Sequence, residues 1–137
     1  LNNLTASLAP HHSVTYAYFH SIEATFVMRL VVMLLLFVYV WASVSLGAKC
    51  SNLTNRGIVQ RGAYRFVRHP AYISKVLVWW ITLIPVLIHI PLAAAGMLGW
   101  TVIYFLRAVT EERHLLQDPD YVAYCAKVKY RFIPGVY

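Results

Sequence analysis

Residues 76–106 read VLVWWITLIPVLIHIPLAAAGMLGWTVIYFL, an apolar run longer than one membrane crossing needs and interrupted by Pro85 and by Ile88-His89-Ile90-Pro91. Proline fits the first turn of a helix, where its missing N–H had no intrahelical partner to lose. Pro70 and Pro91 therefore read as helix starts. One helix is expected from Pro70 to about His89, kinked at Pro85, and a second from Pro91 to about Leu116. Each has about 20 or more residues, or about 30 Å at 1.5 Å per residue. Two such helices in succession form a hairpin that returns the chain to the side it left. Ala93-Ala94-Ala95-Gly96 and Gly99 give the second helix a small-residue face, with Ala95 and Gly99 spaced for close contact with a neighbour.

A further apolar stretch, Phe26 to Leu46, is also long enough to cross a hydrocarbon core about 30 Å thick. Its Arg29 lies near an end, from which it can snorkel to headgroups. The chain is 60% hydrophobic and 12% charged, outside the balance of a soluble domain. The expected class is an all-α integral membrane helical bundle, a single domain over residues 1–137. No signal-peptide layout opens the chain, and beginning on Leu1 rather than Met is what the C-terminal part of a longer protein would show.

Charge sets the orientation. Leu1 to Thr25 holds no Lys or Arg, whereas Gly47 to Lys75 holds Lys49, Arg56, Arg61, Arg65, Arg68 and Lys75 and no acid. By the positive-inside rule the N-terminus faces out and this loop faces the cytoplasm. Arg107, Arg113, Lys127, Lys129 and Arg131 fall on the same side after the hairpin. Basic residues that flank apolar spans in this way serve topology, and nucleic acid is not an expected partner. Asp118-Pro119-Asp120 signals a turn, and Tyr121, Tyr124, Val128, Phe132 and Ile133 among Lys and Arg suggest a C-terminal amphipathic helix at the interface.

Two polar clusters flank the hairpin. Arg65-Phe66-Val67-Arg68-His69-Pro70-Ala71-Tyr72 stands at its entrance and Glu111-Glu112-Arg113-His114 at its exit. Acids near a bilayer are costly unless a cation or ligand pairs with them. Arg68, His69 and the helix N-terminus offer donors to a carboxylate or phosphate, while Tyr64 and Tyr72 supply rings able to cover a purine. Acids that seek a cation thus face donors that seek an anion across one mouth. The bland reading is a helix end balanced by Arg107, Arg113 and Lys127.

Several features carry less. Cys50 and Cys125 have no metal or CxxC spacing. Asn3-Leu4-Thr5 and Asn52-Leu53-Thr54 match the glycosylation triplet, the second on the cytoplasmic side. Glu111 and His114 have di-iron spacing, but such sites need a second copy and more acids than the five here, so no metal is expected. His11, His12 and His20 read as outer surface residues, His89 as facing headgroups, and Trp41, Trp79, Trp80, Trp100 and Tyr104 as belt and packing residues.

Gly57 through Tyr72, ending in Arg68-His69-Pro70-Ala71-Tyr72, then Glu111-Glu112, then Tyr121, Tyr124 and Phe132-Ile133-Pro134, resembles the catalytic half of the isoprenylcysteine carboxyl methyltransferase and phospholipid methyltransferase superfamily. The likeness covers roughly Asn55 to Tyr137, which it marks as the catalytic, cofactor-binding region. It implies an S-adenosylmethionine-dependent membrane enzyme. Tyr64, Arg68, His69, Tyr72, Glu111 and Glu112 would line the cofactor site at the cytoplasmic face, with Arg68 and Glu112 as catalytic residues. A lipophilic or prenylated acceptor would enter from the membrane lipids. Should the acceptor need a general base, Glu112 or His69 is the candidate. The family often has Gly two residues after the motif tyrosine; here Ser74 stands there, followed by Lys75. The C-terminal residues also resemble membrane sterol reductases, which bind NADPH and usually carry Arg-Asp where this chain has Glu111-Glu112. Paired acids suit a cofactor with an ammonium better than one with an extra phosphate, and methyl transfer is preferred over reduction or a non-catalytic membrane module.

Overall fold

Three apolar runs became helices and one polar segment became a fourth. A computed structural model describes residues 19–47, 57–88 and 90–136. Cys50, His11, His12, His89 and both glycosylation triplets lie outside the described residues. Helix α1 is Ile22–Leu46, α2 is Pro70–Leu87, α3 is Pro91–Leu115 and α4 is Pro119–Lys127, with a short 3-10 helix over Gly62–Arg65. Among the described residues there is no strand. The chain is an all-α, multi-pass integral membrane protein: α1, α2 and α3 are each long and apolar enough to cross a bilayer.

Local chemistry explains the boundaries. Ser21 caps α1 by accepting a hydrogen bond from the Ala24 N–H at 3.1 Å, which starts the helix a full turn before Phe26. At 25 residues, or about 37 Å, α1 exceeds the ~30 Å hydrocarbon core. Glu23 therefore has room in the headgroup layer, and Arg29, about 10 Å further in, reaches it by snorkelling. Gly47, at φ 52°, ends it, a left-handed conformation that glycine adopts without a Cβ clash. Pro70 and Pro91 occupy the first turns of α2 and α3. Pro85 sits inside α2, which ends at Leu87. Asp118 caps α4, its carboxylate accepting from the Asp120 N–H at 2.9 Å.

Helix α1 lies along α2, and α2 along α3. The second pair is antiparallel, with Tyr72 bonded to Glu111 near one end and the Trp80 indole donating to the Thr101 hydroxyl at 2.9 Å further along. The Thr101 hydroxyl in turn donates a hydrogen bond to the Met97 carbonyl at 2.8 Å, so every polar atom of this bridge is satisfied where water is absent. The outward faces are bare hydrocarbon, Leu92 82% and Val44 70% exposed, as a lipid solvent requires. Ala95 and Gly99 are exposed, and a Cβ on Gly99 would meet nothing within 4 Å. The Ala95 and Gly99 pair is therefore not where α3 meets α2, whereas Ala93 and Gly96 line the groove between the two helices and Trp80 and Thr101 bond across it.

The polar end is held by two devices. Gly62, at φ 64°, lets the 3-10 helix sit so close to α1 that an added Cβ would overlap Ser45 Oγ and stand 3.3 Å from the Trp41 indole nitrogen. Tyr121, Tyr124 and Val128 form a buried cluster with Ile58, Leu115 and Cys125. Helix α4 is shorter than the amphipathic pattern suggests: it stops at Lys127, and Phe132 and Ile133 lie beyond it. The reason is a competing set of partners, since the chain after Lys127 runs extended beside Arg68 and His69, whose N–H groups donate to the carbonyls of Tyr130 (3.0 Å) and Arg131 (2.9 Å).

Candidate functional site

The site is assembled from the start of α2, the end of α3 and the extended segment after α4. Glu112 is 2% exposed. One of its oxygens accepts from Arg68 Nη1 and lies the same 3.1 Å from His69 Nε2, while the other accepts from Arg131 Nε at 2.7 Å. A buried carboxylate is tolerable only when charge and hydrogen bonds compensate its lost water, and here both oxygens are supplied by the chain itself. Arg68 does more than pair. Its Nε donates to the Val128 carbonyl at 3.0 Å and its Nη2 to the Lys129 carbonyl at 2.7 Å. The planar guanidinium thus ties α2, α3 and the C-terminal segment together.

Glu111 faces a different environment. It is half-buried, accepts a 2.7 Å hydrogen bond from the Tyr72 hydroxyl on its Oε2, and pairs with no cation among the described residues. Arg107 lies beside the same Tyr72 phenol. The neighbouring walls are aromatic. The His69 ring stacks on Tyr72 with centroids 5.5 Å apart, Phe132 lies 5.6 Å from His69, and Tyr104 meets Tyr72 edge-on at 5.8 Å.

Arg68, His69 and Glu112 thus share one ion cluster, and Tyr72 and Glu111 adjoin it through the His69 ring. Tyr64 belongs to the 3-10 helix, where its carbonyl accepts from the Tyr124 hydroxyl at 2.6 Å. Burial pushes the Tyr121 and Tyr124 phenols well up from their ordinary range, so Tyr124 stays a neutral donor for this bond. Arg107, Arg113 and Lys127 do not balance Glu112; the paired cations are Arg68, Arg131 and, when protonated, His69. Arg113 and His114 are exposed. Ser74 is 1% exposed and turns its hydroxyl back onto the Pro70 and Ala71 carbonyls at 2.8 and 3.2 Å. Arg131 and Phe132 are the members that sequence reasoning missed. The adjoining Phe132-Ile133-Pro134 ending was their signal, but one arginine among several basic residues has no local mark.

The arrangement offers one saturated acid, one acid without a cation, a phenol, an imidazole and ring faces at the polar end of two apolar helices. The model of the Isoprenylcysteine carboxyl methyltransferase (ICMT) family matches residues 24–117, which include the α2 and α3 segments of the site but not the segment that carries Arg131 and Phe132. No curated protein and no solved structure matches the chain.

Proposed function

Because the chain belongs to the isoprenylcysteine carboxyl methyltransferase family, we propose that it is a membrane methyltransferase using S-adenosylmethionine to methylate a lipophilic acceptor. S-adenosylmethionine, when bound, supplies a methyl group on a positively charged sulfur that leaves as a neutral thioether. The observation that carries the cofactor assignment is the contrast between the two acids. Glu112 is saturated by Arg68, His69 and Arg131, whereas among the described residues Glu111 accepts from the Tyr72 hydroxyl and pairs with no cation, which makes it the carboxylate to meet a ligand cation. The donor set fits the cofactor: Glu111 for an ammonium, and the rings of His69, Tyr72 and Phe132 for a flat or cationic group. Arg68 and Glu112 hold the C-terminal segment against this mouth, and Tyr64, whose carbonyl is bonded by Tyr124, is assigned to the cofactor site by the family resemblance alone.

The residues of this chain contribute positioning and exclusion of water, which suffice for much of an in-line displacement. Glu112, with both oxygens engaged, is poorly placed to take a proton, which leaves His69 as the candidate if an acceptor needs a base. The test is equilibrium binding of radiolabelled S-adenosylmethionine and of NADPH to detergent-purified protein. Glu111→Gln is expected to weaken S-adenosylmethionine binding about ten- to a hundredfold, the loss of one charged hydrogen bond, with little change in melting temperature. Tight NADPH binding with no S-adenosylmethionine binding in the unaltered protein would overturn the assignment.

We further propose that α2 and α3 cross the bilayer as a hairpin with the site on the cytoplasmic side and α4 at the interface. The basic residues gathered around the site support it, since Lys and Arg accumulate on cytoplasmic loops. Single cysteines placed at Arg61 and Lys127, in a chain lacking Cys50 and Cys125, are expected to label from the cytoplasm, and one at Ser13 from the other side. Labelling of Arg61 and Lys127 from opposite faces would rule the hairpin out.

A further inference from the structure

The segment after α4 that walls the site has a second, outward face, and that face is both basic and apolar. Val128 is buried with Tyr121 and Tyr124, Arg131 bonds Glu112, and Phe132 lies against the His69 ring. Lys129, Tyr130 and Ile133, interleaved with them, are exposed, as is Lys127 at the end of α4. The Tyr130 carbonyl accepts from the Arg68 N–H at 3.0 Å, so this segment runs next to Arg65 and Phe66, which are exposed too, Phe66 by 59%. Arg65, Lys127 and Lys129 pair with no acid among the described residues. Helix α2 opens at Pro70, four residues after Phe66, which puts the patch within about 14 Å of the end of a span. That is within reach of lipid head groups.

From this surface we infer that the C-terminal segment is a docking face for an anionic lipid leaflet, and that the leaflet holds the segment closed over the site. Unpaired cations beside exposed rings and aliphatic side chains select a membrane over an acidic protein, since Phe66, Tyr130 and Ile133 need hydrocarbon as the lysines need anions. Each Lys or Arg at an anionic surface contributes about fivefold to binding. The direction of the effect turns on Arg131, whose charge a lipid phosphate also attracts. Leaving Glu112 would strand a buried carboxylate, a penalty of roughly a hundredfold or more against about fivefold gained at the surface. Arg131 therefore stays on Glu112. The leaflet binds the docked segment better than a released one, because only docking sets Lys129 and Tyr130 beside Arg65 and Phe66. Phe132 reaches His69 only in the same docked state, so anionic lipid and cofactor strengthen each other by linkage. The effect on the cofactor rests on the methyltransferase reading; the effect on the segment does not.

Two readouts test this on the protein in nanodiscs of phosphatidylcholine, with and without phosphatidylserine. Amide hydrogen exchange at Arg68 and His69, whose N–H groups are bonded to the Tyr130 and Arg131 carbonyls, reports docking of the segment with no ligand present. Equilibrium binding of radiolabelled S-adenosylmethionine reports the site. Phosphatidylserine is expected to slow exchange at both amides and to tighten S-adenosylmethionine binding, each about three- to tenfold, and high salt to remove the difference. Lys127→Gln combined with Lys129→Gln is expected to erase the lipid dependence while leaving both readouts in phosphatidylcholine as they were, since Arg68 bonds the backbone of Lys129 and not its side chain. Lys127→Arg combined with Lys129→Arg is expected to retain it. Equal exchange in the two lipids, or a lipid dependence that survives both glutamine changes, overturns the proposal. Faster exchange with phosphatidylserine overturns it as well and would mean that lipid draws Arg131 off Glu112. Slower exchange with an unchanged S-adenosylmethionine affinity overturns the coupling to the site. Slower exchange with no S-adenosylmethionine binding in either lipid would instead defeat the methyltransferase reading and leave the docking face standing.

Discussion

Glu112→Gln is expected to lower stability by about 3 kcal/mol and to abolish cofactor binding with it. Removing one partner from a buried ionic group costs about 3–5 kcal/mol because the remaining charges stay desolvated and unopposed. The lower end applies here, since the Arg131 side chain is 29% exposed and can turn toward water. Glutamine keeps the shape of the side chain, but it presents an amide N–H₂ where a guanidinium or imidazole now donates, so one contact becomes repulsive. The loss of binding follows because Glu112 holds in place the elements that carry His69, Phe132 and Tyr72. Thermal or denaturant unfolding in detergent, run beside the Glu111→Gln variant, separates the two acids. Glu111→Gln should lose affinity while melting near the unaltered protein, and Glu112→Gln should lose both. A Glu112→Gln protein that melts with the unaltered one would show that the cluster contributes no net stability.

Arg68→Lys is expected to release the C-terminal segment although the charge is kept. Arginine here uses three separate nitrogens, toward Glu112, the Val128 carbonyl and the Lys129 carbonyl. A lysine ammonium is a single point and cannot span those acceptors. Hydrogen bonds from charged donors are worth about 1.5–3 kcal/mol each; because the bond to Lys129 is exposed, a total loss of about 2–3 kcal/mol is expected. The specific readout is amide hydrogen exchange at Arg68 and His69, whose N–H groups are bonded to the Tyr130 and Arg131 carbonyls and should exchange faster once the segment loosens. Unchanged protection at both amides would mean that the backbone pairing, not the guanidinium, retains the segment.

Both predictions concern groups whose importance is invisible along the chain. Glu112 meets Arg68 across 44 residues and Arg131 across 19, and no periodicity links such positions. Neighbouring Glu111 and Glu112 look alike in sequence, yet successive side chains on a helix point about 100° apart. One therefore enters a cage of cations and the other faces Tyr72. Lys75 likewise reads as one more positive residue before a span, until its position over Trp79 and Tyr104 becomes known.

What the sequence determined by itself was what local signals govern: three apolar runs of spanning length, helix starts at Pro70 and Pro91, a break in the chain at Asp118, where Pro119 and Asp120 open α4 instead of completing a turn, and two polar segments in fixed order. These follow from hydrophobic transfer and from backbone restrictions that act within a few residues. Only the tertiary structure decided which acid is saturated, that Arg131 joins the cluster, that Ala95 and Gly99 of α3 stay exposed, and that α4 ends at Lys127. The last illustrates the physical reason. The amphipathic pattern through Phe132 and Ile133 favoured a longer helix, but Arg68 and the N–H groups at the start of α2 supplied partners for the carbonyls of residues 128–131. Hydrogen bonds from a distant part of the chain replaced the local ones.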